Sequence, residues 1–97
     1  MKVTFEPDAE AELLHAVDYH NRIEPGLGDD LSGAVEEAID LAVQFPEAWQ
    51  IVEEGARRIR TKRFQYGVVY LFEGDSIHVI AVMHLRRKPG YWLDRLG

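Results

Sequence analysis

The residues best suited to chemistry form one set: Arg57, Arg58, Arg60, Lys62, Arg63, His84, Arg86, Arg87, Tyr91 and Arg95. Such a set has the composition for RNA cleavage. A base removes the 2′-hydroxyl proton, Arg or Lys stabilises the charged phosphorane, and an acid protonates the leaving oxygen. His84 and Tyr91 are the only attractive proton carriers in the set. The alternative assignment is structural: His84 as a strand-end residue bonded to backbone, with Tyr91 and Trp92 covering exposed sheet. No Gly-rich phosphate loop, Gly-x-Ser-x-Gly elbow or His-Glu-x-x-His helix is present. Without Cys there is neither a disulfide framework nor a thiolate zinc site. His15 and His20 read as helix-surface or partly buried residues, so neither a metal nor a cofactor is expected.

The elements that must position this set follow from the hydropathy pattern. Two apolar runs, residues 66–72 and 77–83, flank the turn signal Glu73-Gly74-Asp75-Ser76 and predict a β-hairpin. Both strands are apolar on both faces, which places them in the middle of a sheet covered twice. Strict alternation puts Ile77, Val79, Ala81 and Met83 on one side, with Ile80 and Val82 on the other. Lys2–Phe5 reads as a first strand. Pro7 suits the first position of a helix, and Asp8, Glu10 and Glu12 complement its dipole. Ala9, Leu13, Ala16, Val17 and His20 give this helix one buried stripe through about Arg22. Glu24-Pro25-Gly26 breaks it. A second helix over residues 27–45 carries Leu27, Leu31, Val35, Ala38, Ala42 and Phe45 on one stripe, and Pro46 stops it.

Residues 47–55 read as a loop pinned by Trp49 and Ile51. Residues 57–64 read as a strand with one exposed basic row. The predicted fold is therefore α+β, ordered β-α-α-β-β-β, with a two-helix hairpin on one face of a small, mostly antiparallel sheet. Two helices cover one face only. The opposite face needs another cover: the tail from Tyr91 to Leu96 for part of it, and a partner chain for the rest.

Length and charge bound the function. The 97 residues make one domain, spanning 1–97. The N-terminus is charged where a signal peptide would be apolar. No apolar run approaches the roughly 20 residues needed to span a bilayer. A soluble cytoplasmic protein without membrane contact is expected. The net charge of −6 hides an asymmetry. Residues 1–54 hold 2 Lys/Arg against 14 Asp/Glu, and residues 55–97 hold 9 against 3. The overall sign argues against direct DNA binding, which rests on phosphate neutralisation. The split predicts an acidic helical face and a basic sheet face.

With these residues in hand, the chain resembles the RelE/ParE toxin superfamily of bacterial type II toxin–antitoxin systems, and within it the ParE-like branch. The likeness rests on Ala9 and Glu12-Leu13, Pro25-Gly26-Leu27-Gly28, Arg57-Arg58, Arg63-Phe64-Gln65-Tyr66 and Tyr70. Its most specific part is His84-x-x-Arg87-x-Pro89-x-Tyr91-Trp92-x-x-Arg95. Gln65 departs from the Pro usual there and affects a strand entry. The resemblance implies the β-α-α-β-β-β fold and a cognate antitoxin as partner. ParE-like members inhibit DNA gyrase, whereas RelE-like members cut mRNA on the ribosome and are usually strongly basic. The acidic balance of this chain favours the gyrase-directed activity, with Arg87, Tyr91, Trp92 and Arg95 facing the target or positioning the tail. Arg58, Arg60, Val69 and Leu71 would then receive the antitoxin. The alternatives are a ribosome-dependent endoribonuclease using His84, Arg87, Tyr91, Arg58 and Lys62, or a non-toxic member that only binds its antitoxin.

Overall fold

The computed structural model describes residues 1–97. Strand β1 (Lys2–Phe5) leads into helix α1 (Pro7–Ile23) and helix α2 (Leu27–Gln44). Strands β2 (Gln50–Ile51), β3 (Arg57–Arg60), β4 (Tyr66–Glu73) and β5 (Ser76–His84) follow, and a 3-10 turn (Leu93–Leu96) closes the chain. The sheet order is β1-β5-β4-β3-β2, with β1 parallel to β5 and every other pair antiparallel. The central hairpin β4–β5 is thus flanked on both sides, as its two-faced apolarity requires.

Pro7 starts α1, with Asp8 and Glu10 in the first turn. Gly26 takes a left-handed backbone (φ 91°) just before α2. The two helices then cross closely. A Cβ on Gly28 would lie 2.0 Å from the Val17 carbonyl oxygen, and the Gly28 N–H donates to Asn21 Oδ1 at 2.7 Å. The main core lies between the helices and the sheet, built on Ala9, Ala16, Leu31, Val35, Val68 and Tyr70. His20 belongs to this layer. Its Nδ1 donates to the Ala16 carbonyl at 2.7 Å, and its ring meets Phe64 and Tyr66 edge-on.

Four expectations are corrected. The loop over residues 47–55 contains the two-residue strand β2, too short to give a periodic signal, on which Ile51 is exposed. Trp49 alone pins this segment, by packing on the core and donating from Nε1 to the Leu41 carbonyl at 3.3 Å. Strand β3 ends at Arg60 rather than at residue 64. The chain turns there through Arg63 at φ 74°, and the Thr61 hydroxyl donates to the Phe64 and Tyr66 carbonyls. The basic row is correspondingly short. Arg57 faces the helix side, donating to the Glu47 and Trp49 carbonyls, while Lys62 and Arg63 pair with Glu37 and Asp30 of α2. Arg58 and Arg60 remain on the opposite face.

The fourth correction concerns β5. Val69 pairs with Ala81 and Tyr70 with Val79, so Ile80 is an extra residue, a β-bulge. The bulge reverses the alternation. Ile77, Val79 and Val82 face the helices, whereas Ile80, Ala81 and Met83 face away. Strict period-two reading cannot see this, because both faces are apolar. A second core results on the outer face: Ala56, Val69, Ile80, Ala81, Met83 and Trp92. Its lid is the C-terminal segment, with Trp92 only 2% exposed.

Candidate functional site

Strand β1 pairs with β5 only as far as Val79. Beyond that point α1 and the C-terminal segment meet the β5 edge, and Glu12 stands at the junction. Its position follows from helical spacing: residue 12 lies beside the stripe of Ala9, Leu13 and Ala16 and so faces the sheet. Glu12 Oε1 accepts the Val82 N–H at 3.1 Å. Arg95 donates from Nη1 to Glu12 Oε1 at 2.9 Å and from Nη2 to Oε2 at 3.1 Å. The same Nη1 donates to the Ile80 carbonyl at 3.0 Å. The Tyr91 hydroxyl donates to Glu12 Oε2 at 2.6 Å. Arg87 stacks on the Tyr91 ring, with Cζ 3.9 Å from its centroid, and its Nη1 lies 3.6 Å from Glu12 Oε2. One carboxylate therefore gathers two guanidiniums, a phenol and a strand-edge amide.

The side chains of Glu12 and Arg95 are 15% and 13% exposed. In this setting charge-assisted, bidentate bonds are stronger than on an open surface. Burial, followed by the hydrogen bond to Glu12, pushes the Tyr91 hydroxyl well above its ordinary value. The hydrogen bond from Arg95 to Glu12 raises the Arg95 pKa. Tyr91 is thus held as a neutral donor, committed to a carboxylate.

His84 is committed as well. Its Nδ1 accepts the Arg86 N–H at 3.1 Å, and its ring lies edge-on to Tyr66. With Nδ1 accepting this bond, the neutral ring carries its proton on Nε2. His84 and Arg87 border a cleft of about 130 Å³ with Glu12, His15 and Tyr66. Arg58 lies on the other face of the sheet, and Lys62 reaches Glu37 at 2.8 Å. The structure thus brings His84, Arg87 and Tyr91 around Glu12 but leaves Arg58 and Lys62 outside that group.

The remaining sequence candidates divide by exposure. Val69 is fully buried and Leu71 partly buried beneath the C-terminal segment. Arg58 borders an outer-face groove of about 240 Å³ with Ile51, Pro89 and Trp92, and the exposed Arg60 continues the same row. Trp92 and Arg95 point inward and position the tail. Glu12 is the residue that sequence reasoning missed. It reads as one of three acidic residues complementing the helix dipole, although its place beside the apolar stripe distinguishes it from Glu10.

The family model for "ParE toxin of type II toxin-antitoxin system, parDE" matches residues 3–89. The chain belongs to the ParE toxin family. A solved structure described as the chromosomal ParDE TA system from P. aeruginosa has the same fold, with a TM-score of 0.75. It shares 17% identity and covers 87% of this chain and 95% of its own. No curated protein matches the sequence. Within this ParE-family chain the matched region holds Glu12, His84 and Arg87, whereas Tyr91, Trp92 and Arg95 lie beyond it.

Proposed function

We propose that this ParE-family chain is the toxin of a type II toxin–antitoxin pair, acting in the cytoplasm by binding DNA gyrase and neutralised by a cognate antitoxin. The observation that carries the reading, beyond family membership, is that both candidate proton carriers are already spoken for. The Tyr91 hydroxyl donates a hydrogen bond to Glu12, and His84 Nδ1 accepts one from a backbone amide. Proton carriers engaged in this way suit a toxin that acts by occupying its target. The exposed guanidinium of Arg87 and the neighbouring Arg86 and Lys88 supply the surface that meets it. No helix is long and apolar enough to cross a membrane. A supercoiling assay with purified protein tests the reading. Inhibition at stoichiometric to modest excess over gyrase is expected, and unimpaired supercoiling at large excess would refute it.

For the antitoxin, the row formed by Arg58 and Arg60 beside the Ile51–Trp92 groove suits an acidic, amphipathic segment. Charge steers such encounters, and apolar burial holds them. Because Val69 lies under the C-terminal segment, the groove and Leu71 provide the apolar contact in this arrangement.

A second reading, ribosome-dependent mRNA cleavage, draws on the convergence of His84, Arg87 and Tyr91 beside one cleft. Primer extension on mRNA from expressing cells separates the two. Discrete cuts that vanish with His84→Ala would favour cleavage; intact mRNA in growth-arrested cells would favour gyrase. Expression without an antitoxin that leaves growth unchanged would instead mark a member that only binds its antitoxin.

A further inference from the structure

The C-terminal segment is the cover of the outer core and is joined to the domain by very few bonds. It leaves β5 through a turn in which Gly90 takes φ 77°. Past that turn, its polar attachment to α1 runs through one residue. Tyr91 and Arg95 both bind Glu12; Arg95 also reaches the Ile80 carbonyl and, more distantly, Asp8, and the Tyr91 ring stacks with Arg87. The Arg95–Asp8 separation is 3.7 Å, and the Asp8 side chain is 74% exposed, so that pair adds little. The apolar attachment is led by Trp92, seated over Val69 and Met83, with Tyr91 and Leu96 packed against the same core.

We propose that residues 91–97 form a releasable strap whose lock is the Glu12 carboxylate. The strap occupies two features that would otherwise be open. One is the outer apolar face of Val69, Ile80 and Met83. The other is the β5 edge beyond the end of β1, where Arg95 satisfies the Ile80 carbonyl in place of a neighbouring strand; the Val82 N–H beside it is held by Glu12 of α1. Release of the strap bares an apolar floor beside a strand edge whose Ile80 carbonyl has lost its donor, a surface suited to an extended apolar segment of a partner. The inference holds whichever target the chain has, because it concerns the closed state seen here.

Full-length variants test it. A Trp49→Phe background leaves Trp92 as the only indole, and chymotrypsin cleavage at residues 91–93 reads exposure of the strap. Glu12→Ala is expected to shift Trp92 emission to the red and to speed cleavage roughly ten- to a hundredfold, the scale set by losing bonds to a buried charge. Hydrogen exchange of the β4 amides should stay at the parent rate. Tyr91→Phe, which leaves Glu12 with Arg95, should give a smaller increase. If Glu12→Ala does not fold, Arg95→Met breaks the same lock from the strap side and decides the matter. Cleavage within twofold of the parent in a folded lock variant would overturn the proposal. So would acceleration that rises in step with β4 exchange, because the whole domain would then be opening.

Discussion

The Tyr91 hydroxyl lies 2.6 Å from Glu12 Oε2, joining the first helix to a segment 79 residues later in the chain. Bonds to charged acceptors contribute about 1.5–3 kcal/mol, and Glu12 keeps Arg95 when the phenol is removed. Tyr91→Phe should therefore lower stability by about 1–2 kcal/mol, measured by urea denaturation. A variant as stable as the parent would show that the phenol contributes nothing beyond its ring.

The same phenol predicts an alkaline dependence. Burial raises Tyr91, Tyr66 and Tyr70 above the ordinary tyrosine value, with the Glu12 hydrogen bond as a second cause for Tyr91. A group whose pKa is raised by folding contributes stability that is complete below its unfolded value of about 10 and is lost as pH rises beyond it. Stability should be insensitive to these tyrosines near neutrality and fall above pH ~10. Tyr91→Phe should flatten that fall, as read from thermal midpoints across an alkaline series.

Gly28 sits where α2 passes α1, with no room for a methyl group. A Cβ would stand 2.0 Å from the Val17 carbonyl oxygen and 2.7 Å from Asn21 Cγ. The first is a backbone atom, so the helices must separate. Overpacking of this kind costs about 1–3 kcal/mol, occasionally more. Gly28→Ala should destabilise the fold by at least that much. The mild gain usual for Gly→Ala within a helix would contradict the close crossing.

Trp92→Ala removes the largest side chain from the outer core. A loss of about 3–5 kcal/mol is expected for a buried Trp. Leu93→Ala, at a residue 36% exposed, should cost far less. Calorimetry of both variants checks the contrast.

Arg58 and Arg60 provide the test of antitoxin steering. Reversing both to Glu should slow association with the cognate antitoxin more than it speeds dissociation, and the parent on-rate should fall with salt. Surface plasmon resonance over a salt series measures both. Unchanged binding by Arg58→Glu/Arg60→Glu would place the docking surface elsewhere.

Much of the fold was legible because it rests on local signals. Pro7, Gly26 and Pro46 bracket the helices, and the Gly74 turn sets the hairpin. The second core was anticipated as a need, since two helices leave one sheet face bare, with the segment after Tyr91 as part of its cover, and Trp92 meets that need. The lock was not legible. Glu12 and Arg95 are 83 residues apart, and nothing at either position announces its partner. Strand β2 was hidden by its length, and Lys62 and Arg63 counted as free cations until α2 placed Glu37 and Asp30 beside them.

The extra residue at Ile80 constrains how the chain can change length. Deleting Ile80 would restore an unbroken ladder with β4 and leave everything downstream on its present side, because Val79 already pairs with Tyr70 and Ala81 with Val69. Met83 would still face away from the helices; what would go is the Ile80 side chain of the outer core and the carbonyl that accepts from Arg95. A one-residue deletion anywhere outside the bulge would instead shift the pairing register and exchange the two faces. Position 80 is therefore the place in this strand where the chain can shorten without turning inside out, and deleting Ile80 should loosen the strap without moving Met83 to the helix side.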